Sequence, residues 1–159
     1  MRELPQSADL VAQLRALLAG EPDWVARTAN FAAFVFHSLP QLNWAGFYFL
    51  QGDELVLGPF QGKPACVRIA AGRGVCGACV ERQTAIIVPD VQRFPGHIAC
   101  DDASRSELVV PVRRTGRIIG VFDLDSPVVD RFGPGDQHLI ATLLHELTGQ
   151  ALPATRVAG

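Results

Sequence analysis

The chain has 159 residues, a hydrophobic content of 48% and a charged content of 19%, which is the composition of one folded domain and not of a disordered segment. A net charge of −2 and a short arginine pair, Arg113–Arg114, exclude a broad nucleic-acid surface. No stretch reaches the ~20 apolar residues of a membrane span, and the start, MRELPQSADL, has no leader pattern.

In chain order, residues 8–20 space Leu10, Leu14, Leu17 and Leu18 at helical intervals, with Gly20 as the stop. Asp23 caps a second predicted helix over 24–38, with Val25, Ala29, Ala32, Ala33 and Phe36 on its inner face and Pro40 ending it. The period then shortens. Residues 42–50 and 54–61 read as two strands joined at Gly52-Asp53, and 67–70 as a short third. Gly72, Gly74 and Gly77 lead into a helix at about 75–82, and 85–88 is a strand closed by Pro89. Residues 90–104 show neither period and read as a long loop, the kind of segment that carries function. Residues 106–113 and 117–125 form a hairpin across Thr115-Gly116, and a last helix from Asp136 carries Leu139, Ile140, Leu143, Leu144 and Leu147. The tail 152–159 is expected to fray. The order predicts a single α+β domain, a mainly antiparallel sheet with helices packed on a face.

All four cysteines fall in the middle third, at Cys66, Cys76, Cys79 and Cys100. A chain without a leader reads as cytoplasmic, where thiols stay reduced, so the four are catalytic, redox-active, metal-binding or core residues before they are a disulfide framework. A zinc site would want a second pair at ligand spacing beside Cys76-x-x-Cys79, and His97 alone does not supply it, so no metal is expected. Cys79 reads as core. Gly72-x-Gly74-x-x-Gly77 matches a dinucleotide fingerprint but lacks the βαβ context, and its role is taken as turn formation. Asp123 and Asp125 are two apart on a strand and share a face, which Glu107 on the neighbouring strand can join. Trp44 and Tyr48 are four apart and also share a face. Clustered carboxyls raise one another's pKa, which suits proton donation. The first turn of the helix at 75–82 offers N–H donors to an anionic group. His97 stands three residues before Cys100 and is a candidate to lower its pKa.

The stretches NWAGFYFL, GPFQGKPACVRIAAGRGVCGACV, VPDVQRFPGHIACD, SELVVPV and GVFDLDSP, together with FGPGDQHLIATLLHEL, resemble the GAF domain, and more finely the free methionine-(R)-sulfoxide reductases that share that fold. The resemblance covers about residues 10–150, and its most specific part is the trio Cys66, Cys76 ten positions on and Cys100 a further twenty-four on. It implies a thiol reductase acting on the free amino acid and its R epimer. Cys100 would be the nucleophile, Cys66 the resolving thiol and Cys76 a supporting or alternative partner. Glu107, Asp123 and Asp125 match the pocket carboxylates, with Glu107 or Asp125 the proton donor, and Trp44 and Tyr48 match the pocket aromatics. The resemblance also implies thioredoxin or another dithiol as reductant, no metal or organic cofactor, and a homodimer. A ligand-binding GAF sensor without turnover, or a thiol redox sensor, is the alternative.

Overall fold

The computed structural model describes residues 6–98 and 100–149. The expected frayed tail, 152–159, lies outside the described residues. Four helices and six strands follow one another as α1 (Ser7–Leu18), α2 (Trp24–Ser38), β1 (Trp44–Gln51), β2 (Glu54–Gly62), β3 (Arg68–Ala70), α3 (Gly74–Arg82), β4 (Ile86–Val88), β5 (Ser106–Arg114), β6 (Arg117–Ser126) and α4 (Pro134–Thr148). The strands make one sheet in the order β3-β2-β1-β6-β5-β4, with every neighbouring pair antiparallel.

Local chemistry sets the boundaries. Asp23 accepts the N–H of Ala26 at 2.8 Å and starts α2, and Leu39 turns extended before Pro40 to end it. Thr115 and Gly116 both have positive φ, 49° and 77°, the backbone of a type I′ hairpin. α4 begins at Pro134, two residues before the expected start, because Asp136 is the third helical residue and reaches back to accept the N–H of Gly133 at 2.9 Å. The loop at 90–104 contains one turn of 3₁₀ helix, Val91–Arg93, with Asp90 accepting from the N–H of Gln92.

Alternation along the strands sorts the side chains to two faces. Ala45 and Phe47 of β1, Leu108, Val110 and Val112 of β5, and Phe122 and Leu124 of β6 meet α1, α2 and α4. Phe31 of α2 stacks edge-on against Phe122, with centroids 5.0 Å apart. The inner face of α2 differs from the expected one. Thr28, Phe31, Ala32 and Val35 are the buried positions, and Val25 is 66% exposed. Both stripes have helical spacing, and the one containing the large Phe31 ring goes inward because it removes more apolar area from water. Leu17 of α1 is likewise exposed while Leu10, Leu14 and Leu18 are buried.

α3 packs on the opposite face, so the helices are divided three to one across the sheet. There Trp44, Tyr48, Val109 and Val121 meet Val75, Cys76, Ala78 and Cys79. Gly77 permits this packing, because a Cβ there would come within 2.8 Å of the Gly72 backbone. The three glycines of the G-x-G-x-x-G string thus build a tight turn against a helix: Gly72 and Gly74 have positive φ and Gly77 allows close approach. Among the described residues no helix is long and apolar enough to cross a membrane.

Candidate active site

A cleft opens on the α3 side of the sheet, between the start of α3, the segment 63–66 and the loop 97–104. With the disulfide closed its free volume is small, about 40 Å³, and it opens to solvent at its mouth. Of the site residues expected from sequence, Trp44, Tyr48, Cys76, Cys100, Glu107, Asp123 and Asp125 line the wall, and Cys66 is joined to Cys100.

Strand register assembles the floor. Glu107 stands directly opposite Asp125 across β5 and β6, and Asp125 stands opposite Trp44 across β6 and β1. Asp123 lies two pairs further along, opposite Val109 and Gly46. Because the side-chain period is two, Glu107, Asp123 and Asp125 all point away from the Phe122 core and into the cleft. Trp44 and Tyr48 lie side by side with centroids 5.9 Å apart, and Trp44 also stacks on Phe60 at 5.3 Å. Gly46 makes room for this, since a Cβ there would stand 2.7 Å from the Trp44 ring and 2.3 Å from the Cβ of Phe60.

The aromatic pair has polar handles that the sequence did not reveal. The Tyr48 hydroxyl donates to the Cys66 carbonyl at 2.8 Å, and the Trp44 indole N–H donates to the Lys63 carbonyl at 3.1 Å. These two bonds pin the segment that carries Cys66 to β1. On the other side the Asn43 amide donates to Asp101 and to Ser104, each at 3.1 Å, and ties down the segment that follows Cys100. Cys66 and Cys100 form a disulfide with Cα atoms 5.8 Å apart. Cys66 is half-buried and Cys100 exposed, so the bond sits at the mouth of the cleft and is open to a reductant.

Electrostatics separates the groups further. Burial pushes the Glu107 carboxyl up to about 8, with the charge of Asp125 adding to the effect. Asp123 is raised well above the carboxylate range by burial and by Glu107, and Asp125 by burial, Asp123 and Asp101. Each of the three acids therefore holds its proton more tightly than an exposed carboxyl does. Burial also raises the Cys76 thiol strongly, with Asp123 and Glu107 reinforcing it, so Cys76 is a poor nucleophile in this state. Cys79 lies in the core, its Sγ 3.9 Å from the Val109 carbonyl oxygen, and burial pushes it up to about 12.

His97 faces Glu107: its Nε2 is 3.4 Å from Glu107 Oε2, and burial lowers its pKa. His97, which lines the cleft, and Asn43, which holds the lining residues Asp101 and Ser104, make contacts that sequence does not announce. Each depends on a loop closing onto a strand far away in the chain. α3 begins without a side-chain cap, and Gly74, Val75 and Cys76 of its first turn line the cleft.

The GAF domain model matches residues 10–152, and the chain belongs to the GAF domain family. It is 51% identical over 140 residues to the free methionine-R-sulfoxide reductase of Escherichia coli K12, covering 88% of this chain and 85% of that one. It is 40% identical over 142 residues to the enzyme of the same name from Saccharomyces cerevisiae, covering 84% and 79%. A crystal structure of free methionine-R-sulfoxide reductase from Neisseria meningitidis in complex with its substrate superposes with a TM-score of 0.88 at 40% identity, covering 94% of this chain and 90% of that one. Within the GAF family, these relatives set the chain among the free methionine-R-sulfoxide reductases.

Proposed function

We propose that the protein reduces free L-methionine (R)-sulfoxide to L-methionine through a cysteine sulfenic acid and an intramolecular disulfide. The observation that carries this reading is the Cys66–Cys100 disulfide at the mouth of a cleft floored by Glu107, Asp123 and Asp125. In the reduced state the Cys100 thiolate attacks the sulfoxide sulfur. The sulfoxide oxygen takes a proton from Glu107, whose raised pKa keeps a proton available at neutral pH. Methionine leaves, and oxygen remains on Cys100 as a sulfenic acid. The Cys66 thiol then attacks the Cys100 sulfur, water departs, and the disulfide seen here forms. One sulfoxide and two thiols become one methionine, one disulfide and one water.

The cleft supplies the rest. Asp125, less buried than Glu107 and Asp123, is the group for the substrate ammonium, whose positive charge lets a raised carboxyl ionise on binding. Asp123 adds a second oxygen to that pole. Trp44 and Tyr48 form the apolar wall for the S-methyl group. The first-turn N–H groups of α3 face the substrate carboxylate. Cys76 is the thiol held in support, buried and protonated until the site is remodelled. A dithiol such as thioredoxin restores both thiols, and no metal or organic cofactor enters these steps. A homodimer in the cytoplasm belongs to the same reading, and light scattering tests the assembly.

The test is methionine release from racemic free methionine sulfoxide with thioredoxin, its reductase and NADPH, followed by chromatography. The expected result is consumption of about half the racemate with the S epimer left over. No release with either thioredoxin or dithiothreitol overturns the reading and returns the cleft to ligand screening.

A further inference from the structure

The disulfide leaves Cys76 as a free thiol lining the cleft. Its Sγ, a Glu107 carboxylate oxygen and an Asp123 carboxylate oxygen all lie within 4.8 Å of one another. They come from three separate elements, α3, β5 and β6. All three residues are buried. Asp123 is only 6% exposed, and its Oδ1 has no hydrogen-bond partner among the described residues. His97 reaches this group only through Glu107, with Nε2 3.4 Å from Glu107 Oε2.

An unpartnered buried acceptor costs about 1–3 kcal/mol, and a group that meets it recovers that cost. Once their protons leave, two carboxylates and a thiolate turn away an anion, and an apolar group leaves Oδ1 unmet. A cation is the chemistry that fits. The donor set then selects among cations. An ammonium gains little from sulfur, whereas zinc gains a thiolate bond. Magnesium and calcium want oxygen ligands alone. Zinc bonds of about 2.0–2.3 Å put tetrahedral ligand atoms about 3.3–3.8 Å apart. A spread of up to 4.8 Å needs a contraction of about 1 Å, which rotation of the side chains supplies.

We infer that Cys76, Glu107 and Asp123 form a site for one zinc ion, which fills the floor of the cleft and keeps other ligands out. From sequence alone no metal is expected, because the cysteines lack a second pair at ligand spacing. Folding gathers a different set: one cysteine and two acids. The site stands whether or not the cleft reduces a sulfoxide, and a direct binding measurement tests it apart from turnover.

The protein is used with the Cys66–Cys100 disulfide intact, so that Cys76 and Cys79 are its only free thiols. Cobalt(II) serves as the spectroscopic probe and zinc as the competitor, with zinc affinity read against a chromophoric chelator. The expected result is a near-ultraviolet thiolate-to-cobalt band that saturates at one ion per chain and disappears when zinc is added. Cys76→Ser abolishes the band, Cys79→Ser keeps it, and Asp123→Asn and Glu107→Gln each weaken zinc roughly tenfold or more, with folding checked by circular dichroism. No band in the wild-type protein overturns the site. So does a band that survives Cys76→Ser, or zinc affinity unmoved by both Asp123→Asn and Glu107→Gln.

Discussion

At the scale of single residues, two sulfurs and one carboxyl divide the proposed chemistry. Cys100→Ser should abolish turnover, because Cys66 does not line the cleft and the Cys76 thiol is buried and hard to ionise. Cys66→Ser should instead give a single-turnover burst with thioredoxin as reductant and recover multiple turnovers when a small thiol is added. Rapid-quench measurement of methionine separates the two. Glu107→Gln keeps the shape and removes the proton, so kcat should fall by about 10²–10⁴. In the wild-type protein the rate should decline as the pH rises through about 8, where the buried Glu107 loses its proton, and Glu107→Gln should erase that limb of the profile.

At the scale of elements, α2 shows where spacing alone is ambiguous. Two stripes on it have helical period, and the sheet accepts the one with Phe31. Phe31→Ala should destabilise by about 3–5 kcal/mol, since its ring meets Phe47 and Phe122 and leaves a cavity behind. Val25→Ala, at a position 66% exposed, should change stability by no more than about 0.5 kcal/mol. Urea unfolding at constant m-value compares them, and equal effects would mean that α2 packs through its other stripe. The same dependence on a partner explains α3. Its helical character is legible in GVCGACVER, but its place on the cleft face follows from Gly77 seating against Gly72.

At the scale of the molecule, the cleft floor couples stability to pH. Glu107, Asp123 and Asp125 have folded-state pKa values above their unfolded ones, so the native state holds more protons than the unfolded chain. Their stabilising contribution is present below the ordinary carboxylate range and is lost as pH rises through the folded values, about 8 for Glu107. Each is worth on the order of 1.4 kcal/mol for every pH unit between the two values. His97, lowered by burial, acts in the opposite sense, but it is one group against three. Cys76 and Tyr48 also face the floor and stay protonated throughout this range, both raised chiefly by burial. The melting temperature should therefore rise as pH falls from 8 to 5, and Asp123→Asn should flatten the slope. A wild-type melting temperature that climbs with pH across this window would contradict neutral acids on the floor.

Sequence by itself determined the elements and much of the site's membership. The helices show as leucines at three- and four-residue steps, the hairpins as Gly52-Asp53 and Thr115-Gly116, and the common face of Asp123 and Asp125 as a spacing of two. These are local properties, set by backbone periods and turn chemistry that neighbouring residues dictate. Tertiary structure decided which face of α2 goes inward, that α3 crosses to the other side of the sheet, and that His97 meets Glu107. It also decided that Tyr48 holds the Cys66 segment while Asn43 holds the one after Cys100. Each of these joins residues distant in the chain. Only the closing of loops onto a particular strand register, and the exclusion of water that follows, brings such residues together or moves their pKa values.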